Sequence, residues 1–204
     1  MSKKRGSVWI VIGLLLLLGA AGLTLYNAHV DAEAGKQSDI AATELAEVIM
    51  QAPEQTVVRN PNADYAVEIT ENAEPEPVQL DGRYYLGMIT FPTLGLQLPV
   101  QHEWSYPALR VSPCRMTGGI LSEDLVILAH NYRTHFGPLN RISVGDEVSI
   151  MTPDGGVYVY RVSAREVVEP TAVESVTSGE WPLTLFTCTL GGQTRFVVRC
   201  DWAD

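Results

Sequence analysis

The sequence predicts a mostly β fold: a closed barrel of about eight strands with short helices, preceded by an N-terminal transmembrane helix. Three observations carry this expectation. From Tyr84 onward, short apolar and β-branched runs are separated by Gly, Pro and Asp turns. Helical periodicity is weak over the same region, and many short strands with little helix close readily into a barrel. Ahead of it, Val8 to Tyr26 forms a stretch of 19 residues without a charge.

At about 1.5 Å per residue that stretch spans roughly 28 Å as a helix, close to the hydrocarbon thickness of a bilayer. Lys3-Lys4-Arg5 precedes it, which predicts a cytoplasmic N-terminus and an extracytoplasmic remainder. The alternative is a cleaved signal peptide. The stretch is long for that, and Ala32-Glu33-Ala34 lies far past its end. The expected organisation is a cytoplasmic N-terminus (1–7), a signal anchor (8–26), an extracytoplasmic helix with an acidic, Pro-containing linker (27–80) and a catalytic domain (81–204).

Within the third segment, Ser38 or Asp39 is placed to cap a helix reaching about Gln51, with Ile40, Ala41, Leu45, Val48 and Ile49 on one stripe. From Pro53 to Asp81 the chain is polar and broken by Pro61, Pro75 and Pro77. Asp31 to Asp81 holds 12 acidic and 2 basic residues and so carries a charge of −10, the net charge of the whole chain. From Pro53 to Asp81 the chain reads as a solvated spacer; the other reading is a segment folded back over the active site. With no basic stripe, nucleic acid is excluded as a partner.

The expected strands are Tyr85 to Phe91, Leu94 to Val100, Leu125 to His130, Glu147 to Met151, Val157 to Val168, Thr184 to Thr189 and Arg195 to Cys200. Leu125 to His130 is apolar enough to be buried on both faces. Pro153-Asp154-Gly155-Gly156 is a hairpin turn, and a helical turn is expected around Gly137 to Ile142.

The chemistry concentrates in the last hairpin. If Gly191-Gly192 is a two-residue turn, Leu190 faces Gln193, Thr189 faces Thr194 and Cys188 faces Arg195. Opposed residues share a sheet face with Cβ atoms roughly 5 Å apart. A thiol beside a permanent cation ionises more readily, and the thiolate is the nucleophile. Cys200 lies five positions from Arg195 and points to the opposite face. Of the three cysteines, Cys114 and Cys200 are the candidate disulfide pair, leaving Cys188 as the thiol; the alternative is that both are small buried hydrophobes.

A cysteine nucleophile needs a group that takes and returns protons. His29 sits at the membrane boundary. His102 follows a strand end, and His135 lies in a loop. His130 ends the apolar run Leu125-Val126-Ile127-Leu128-Ala129, where a rigid strand delivers an imidazole to an exposed edge. His135 is its main competitor.

Leu128-Ala129-His130-Asn131, then Thr184-Leu185-Phe186-Thr187-Cys188, then Arg195-Phe196-Val197-Val198 together resemble the sortase family of cysteine transpeptidases. Gly87-Met88-Ile89-Thr90-Phe91-Pro92 and Leu98-Pro99-Val100 fit the same family. The resemblance covers Tyr84 to Cys200. It implies a sortase-like barrel with Cys188 as nucleophile, His130 as acid/base and Arg195 as stabiliser of the substrate or oxyanion. Arg199, on the same face by strand alternation, is the rival for the last role. Thr187 and Asn131 are the candidate substrate-binding residues.

The implied partners are the sorting-signal peptide of secreted surface proteins, of Leu-Pro-x-Thr-Gly type, and an amine acceptor from a cell-wall precursor or a pilin lysine. No metal and no organic cofactor is required. Papain-like enzymes place Cys before His, and the caspase motif does not match Phe186-Thr187-Cys188-Thr189. A zinc site from Cys114, His130, Cys188 and Cys200 lacks close paired spacing. The Glu169 to Pro182 connection is short for the class B insertion. A second C-terminal apolar segment, as many pilin-assembling class C enzymes have, is not seen, nor is an Asp-Pro-aromatic lid motif. Subclass is therefore open. Two other functions stay open: a catalytically silent barrel that binds a partner, and a hydrolytic protease using the same residues.

Overall fold

The computed structural model describes residues 3–52, 56–58 and 74–203. In chain order the elements are α1 (Lys3–Met50), β1 (Thr56–Val58), β2 (Val78–Leu80), β3 (Arg83–Phe91), β4 (Leu96–Gln101), α2 (Tyr106–Leu109), β5 (Cys114–Thr117), β6 (Leu125–Ala129), β7 (Glu147–Met151), β8 (Gly156–Val168), α3 (Val173–Val176), β9 (Leu183–Cys188) and β10 (Arg195–Trp202). Short 3-10 turns occupy Pro92–Leu94 and Gly137–Arg141, the second where a helical turn was expected.

The chain divides into two units, Met1–Glu33 and Ala34–Asp204. In the first, α1 carries an apolar stretch long enough to cross a membrane, and Trp9, Ile10, Leu16, Leu17 and Leu25 are exposed on it. In the second, the barrel closes. The strand order β8-β10-β9-β6-β5-β4-β3 is completed by β7, which pairs with both β3 and β8. That ring has the eight strands expected; β1 and β2 pair onto its outside edges.

Strand alternation fills the interior with Ile89, Phe91, Leu98, Val100, Leu125, Ile127, Val148, Ile150, Tyr160, Leu183, Leu185 and Val198. Side chains at alternate positions of a strand share a face, so these residues fix which face of each strand looks outward. Outside the barrel, Ala41, Leu45 and Ile49 of α1 pack on Tyr85 and Met88 of β3. On another outer face, Val126, Val176 and Val197 form a small apolar cluster with Met116, Val168 and Phe186 against it.

Several expectations change. No helix begins at Ser38: α1 runs through it, and Ser38 is buried on the docked face with Ala34, Ala41, Leu45 and Ile49. Ile40, expected on that stripe, is 62% exposed, because buried positions separated by three or four residues leave it on the far side. Three short strands, β1, β2 and β5, went unrecognised because three or four residues hold too little alternation to register. Residues 53–55 and 59–73, most of the expected acidic linker, lie outside the described residues.

The described end of that segment is tied to the barrel wall. Glu74 accepts hydrogen bonds from the backbone N–H groups of Ile120, Leu121 and Ser122 at 2.7–2.9 Å. Those residues belong to the β5–β6 turn, at the end of β6 opposite His130. Glu74 is therefore held at the far end of β6 from His130. Charge-assisted bonds to backbone donors are among the stronger hydrogen bonds. Glu74→Ala is expected to cost about 1 kcal/mol or more, a fall of roughly 2–4 °C in melting temperature. An unchanged thermal midpoint would show that the clamp contributes nothing.

Candidate active site

Three neighbouring strands present the functional side chains. β6 and β9 are parallel, with Ala129 opposite Thr187. One residue further along each strand, His130 stands beside Cys188. On the other side β9 pairs antiparallel with β10, and Cys188 is directly opposite Arg195. Cys188 is therefore flanked by the Arg195 position on one side and, with the β6–β9 register carried one residue on, by the His130 position on the other, neighbouring strands lying roughly 5 Å apart.

Alternation places all three on the outer face. Leu125, Ile127 and Ala129 of β6 and Leu183 and Leu185 of β9 face the interior. Val126, four residues before His130, and Phe186, two before Cys188, belong to the outer apolar cluster with Val197. His130, Cys188 and Arg195 continue the outer rows, and each is partly exposed. Away from the thiol along these rows Phe186 is partly exposed, whereas Val126 and Val197 are buried against Val176 of α3.

The bend that sets this register is wider than a two-residue turn. Thr189 N–H donates to Thr194 O at 3.0 Å, and the two hydroxyls lie 2.8 Å apart, closing a loop of Leu190, Gly191, Gly192 and Gln193. Gly192 N–H donates to Thr189 O within it. Gly191 and Gly192 have φ of 84° and 72°, the left-handed region that other residues occupy only with strain. The longer loop preserves the Cys188–Arg195 pairing because it replaces the Leu190–Gln193 pair without shifting the register.

Arg195 Nη1 donates to Gly192 O and Thr194 O, both at 3.1 Å, so the guanidinium meets neutral carbonyls of its own hairpin. Arg199 differs in every respect. It is 4% exposed, pairs with Glu166 at 2.8 Å, and donates to Ser175 O, Val176 O and Thr184 Oγ1. It holds α3 and the β8–β9 connection to the barrel, and its donors are committed there.

The two candidate substrate-binding residues brace the strands. Thr187 is buried on the inner face, where its hydroxyl donates to Ala129 O at 2.8 Å; only its backbone is left for a substrate. Asn131 Nδ2 donates to Thr189 O at 3.2 Å, tying the chain after His130 to the chain after Cys188.

The Cys114–Cys200 disulfide is not formed: all three cysteines are free. Cys114 lies on β5 and Cys200 on β10, with β6 and β9 between them. Cys200 faces the barrel core, whereas Cys114 is opposite Gln101, which is opposite Tyr85 on the face under α1. A disulfide needs Cα atoms within about 7 Å and converging Cβ vectors. Burial raises both thiols, Cys114 to about 12 and Cys200 further still. Both behave as small buried hydrophobes.

His135, the competitor for His130, is fully buried. His102 Nε2 lies 2.8 Å from Arg115 Nη2. A guanidinium only donates, so that ring nitrogen accepts. Two clefts of about 480 and 390 Å³ share His102, Glu103 and Trp104; neither is lined by Cys188, His130 or Arg195.

Burial first, and then the charge of Arg110, hold His130 below its ordinary value of 6.5. Burial and then Arg115 do the same to His102, against a smaller opposing effect of Glu103. Unfolding returns both rings to ordinary values. The unfolded chain then binds more protons as pH falls through about 6.5, so stability falls on acidification and levels off below the folded-state values. The urea midpoint is expected to be lower at about pH 5.5 than at about pH 7.5, and His130→Gln with His102→Gln should shrink that difference. The same pH dependence with and without the two histidines would contradict the assignment.

The sequence model of the sortase domain matches residues 89–203, more than half of the chain. The chain belongs to the sortase family, whose members are cysteine transpeptidases. Its fold is similar to that of sortase C1 from Streptococcus suis, at 24% identity and a TM-score of 0.51 over 59% of this chain and 73% of that one. It is also similar to sortase C from Clostridium perfringens, at 20% identity and a TM-score of 0.51 over 86% and 90%. Sortase A from Actinomyces oris matches at 20% identity and a TM-score of 0.51 over 64% and 86%. No curated protein matches the chain. At these identities the likeness concerns the fold.

Proposed function

We propose that this chain is a membrane-anchored sortase in which Cys188 is the nucleophile, His130 the acid/base and Arg195 the stabilising cation. The observation that supports this reading is the strand register, with Cys188 opposite Arg195 and Thr187 opposite Ala129, the residues just before Cys188 and His130. The Cys188 thiolate attacks a backbone carbonyl of a C-terminal sorting signal of Leu-Pro-x-Thr-Gly type. The amide bond breaks, His130 gives its proton to the departing amine, and a thioester remains on the enzyme. An incoming amine from a wall precursor or a pilin lysine then yields a proton to His130 and displaces the sulfur. Arg195 supplies charge-assisted hydrogen bonds to the bound peptide or the developing oxyanion.

Phe186, partly exposed two residues before Cys188 on the same outer row, offers an apolar contact for the Leu or Pro of such a signal. The apolar segment of α1 serves as a signal anchor with the barrel outside the cell, near substrates that are themselves membrane-tethered. Product analysis tests transfer against hydrolysis. The full chain in detergent, given a sorting peptide and an amine acceptor, is expected to make the amide-linked product. Acid product alone, unaffected by the amine, would make it a protease.

A further inference from the structure

His130 is followed by a loop wound more tightly than its exposed position requires. Phe136 N–H donates to His130 O at 3.1 Å, and His135 N–H and Gly137 N–H both donate to Tyr132 O at 3.0 and 2.9 Å. Phe136 is fully buried and stands edge-on to Phe91, with ring centroids 5.7 Å apart, so the loop is nailed into the barrel core. Within it, the half-buried Tyr132 ring lies over the imidazole of His130, with centroids 4.7 Å apart and planes tilted by 31°. Its neighbour on another side is buried His135, at 5.3 Å. The loop is also braced from outside. Gly35, buried on the docked part of α1, approaches Thr134 so closely that a Cβ there would meet Thr134 Cγ2 at 2.8 Å.

A histidine at a strand end has a free torsion about Cβ–Cγ, broad and nearly two-fold. A proton relay to a thiol on the next strand needs that torsion fixed. Asn131 holds the backbone, and among the described residues it is the ring of Tyr132 that lies against a face of the imidazole. We propose that Tyr132 is a positioning residue: its ring, seated by Phe136 in the core, by His135 and by the Gly35–Thr134 brace, fixes the imidazole plane in which His130 exchanges a proton with Cys188. The inference rests on the roles proposed above for His130 and Cys188. It assigns the aromatic ring of Tyr132, not its hydroxyl. The charge that acts on His130 is that of Arg110, at the end of α2.

The test compares Tyr132→Phe with Tyr132→Leu in the full chain. Tyr132→Phe is expected to retain the wild-type kcat. Tyr132→Leu is expected to lose about tenfold to a hundredfold in kcat with little change in KM, and no further rate when placed on His130→Ala. A readout independent of turnover is the NMR titration of the His130 ring. It should move up toward its ordinary value in Tyr132→Leu, as the cover is lost, and stay put in Tyr132→Phe. If no sorting peptide reacts at all, the enzymatic reading fails while the titration still reports on the stacking. Tyr132→Leu with a wild-type kcat and an unmoved titration, or an equal loss in Tyr132→Phe, would overturn the proposal.

Discussion

His130→Ala is expected to lower the rate of sorting-peptide cleavage by about a thousandfold or more, and Cys188→Ala to reduce it to background. The size follows from how the residues act. The imidazole takes the thiol proton and returns it to the departing amine, so without it neither thiolate formation nor amine departure is assisted. Because they act as one unit, the double variant should be no slower than Cys188→Ala alone. The loss should fall on kcat, with thermal stability nearly unchanged, since both side chains are partly exposed at strand ends. Steady-state kinetics with a labelled peptide measures this. Cleavage by Cys188→Ala at the wild-type rate would remove the mechanism. A small loss in His130→Ala would send the search for the base elsewhere.

The two arginines of β10 are expected to separate catalysis from folding. Arg195→Lys should lose about tenfold to a hundredfold in kcat/KM, because an ammonium cannot reproduce the planar guanidinium fork. Its stability should hardly change, since its two bonds go to carbonyls of its own exposed hairpin. Arg199→Met should do the opposite. It would leave Glu166, Thr184 and the carbonyls of Ser175 and Val176 without their shared donor. Stranding one partner of a buried pair costs about 3–5 kcal/mol; Glu166 keeps access to water, so about 2–3 kcal/mol is expected. Urea unfolding and peptide kinetics on the same preparations decide between the roles. Full activity in Arg195→Lys with collapse of kcat in a stably folded Arg199→Met would exchange them.

Much of this was legible in the chain because local rules sufficed. A glycine bend fixes register whether it holds two residues or four, so the Cys188–Arg195 pairing could be read before any fold was known. The apolar run ending at His130 signalled a buried strand. What could not be read was set by distant partners. That β6 lies against β9, bringing His130 to Cys188 across 58 residues, is a property of barrel order; only the family resemblance hinted at it. Arg199 looks like Arg195 in alternation, and its commitment to α3 and Glu166 shows only once the β8–β9 connection is folded. The Cys114–Cys200 pairing was arithmetic on an odd cysteine count, and arithmetic does not know that two strands intervene. Ser38 carries cap chemistry in a helix that never starts there, because the docked stripe through Ala34 and Ala41 continues it. Tyr132 gave no sequence signal beyond standing two residues after His130; its role depends on a loop conformation that Phe136 imposes from the core.

The most direct test of the central claim is the intact mass of the full chain after brief incubation with a sorting-signal peptide and no amine. A single thioester adduct that maps to Cys188, is released by an added amine and is absent from Cys188→Ala is the expected result. No adduct from any such peptide while Cys188 stays open to alkylation, or an adduct that persists in Cys188→Ala, would contradict it.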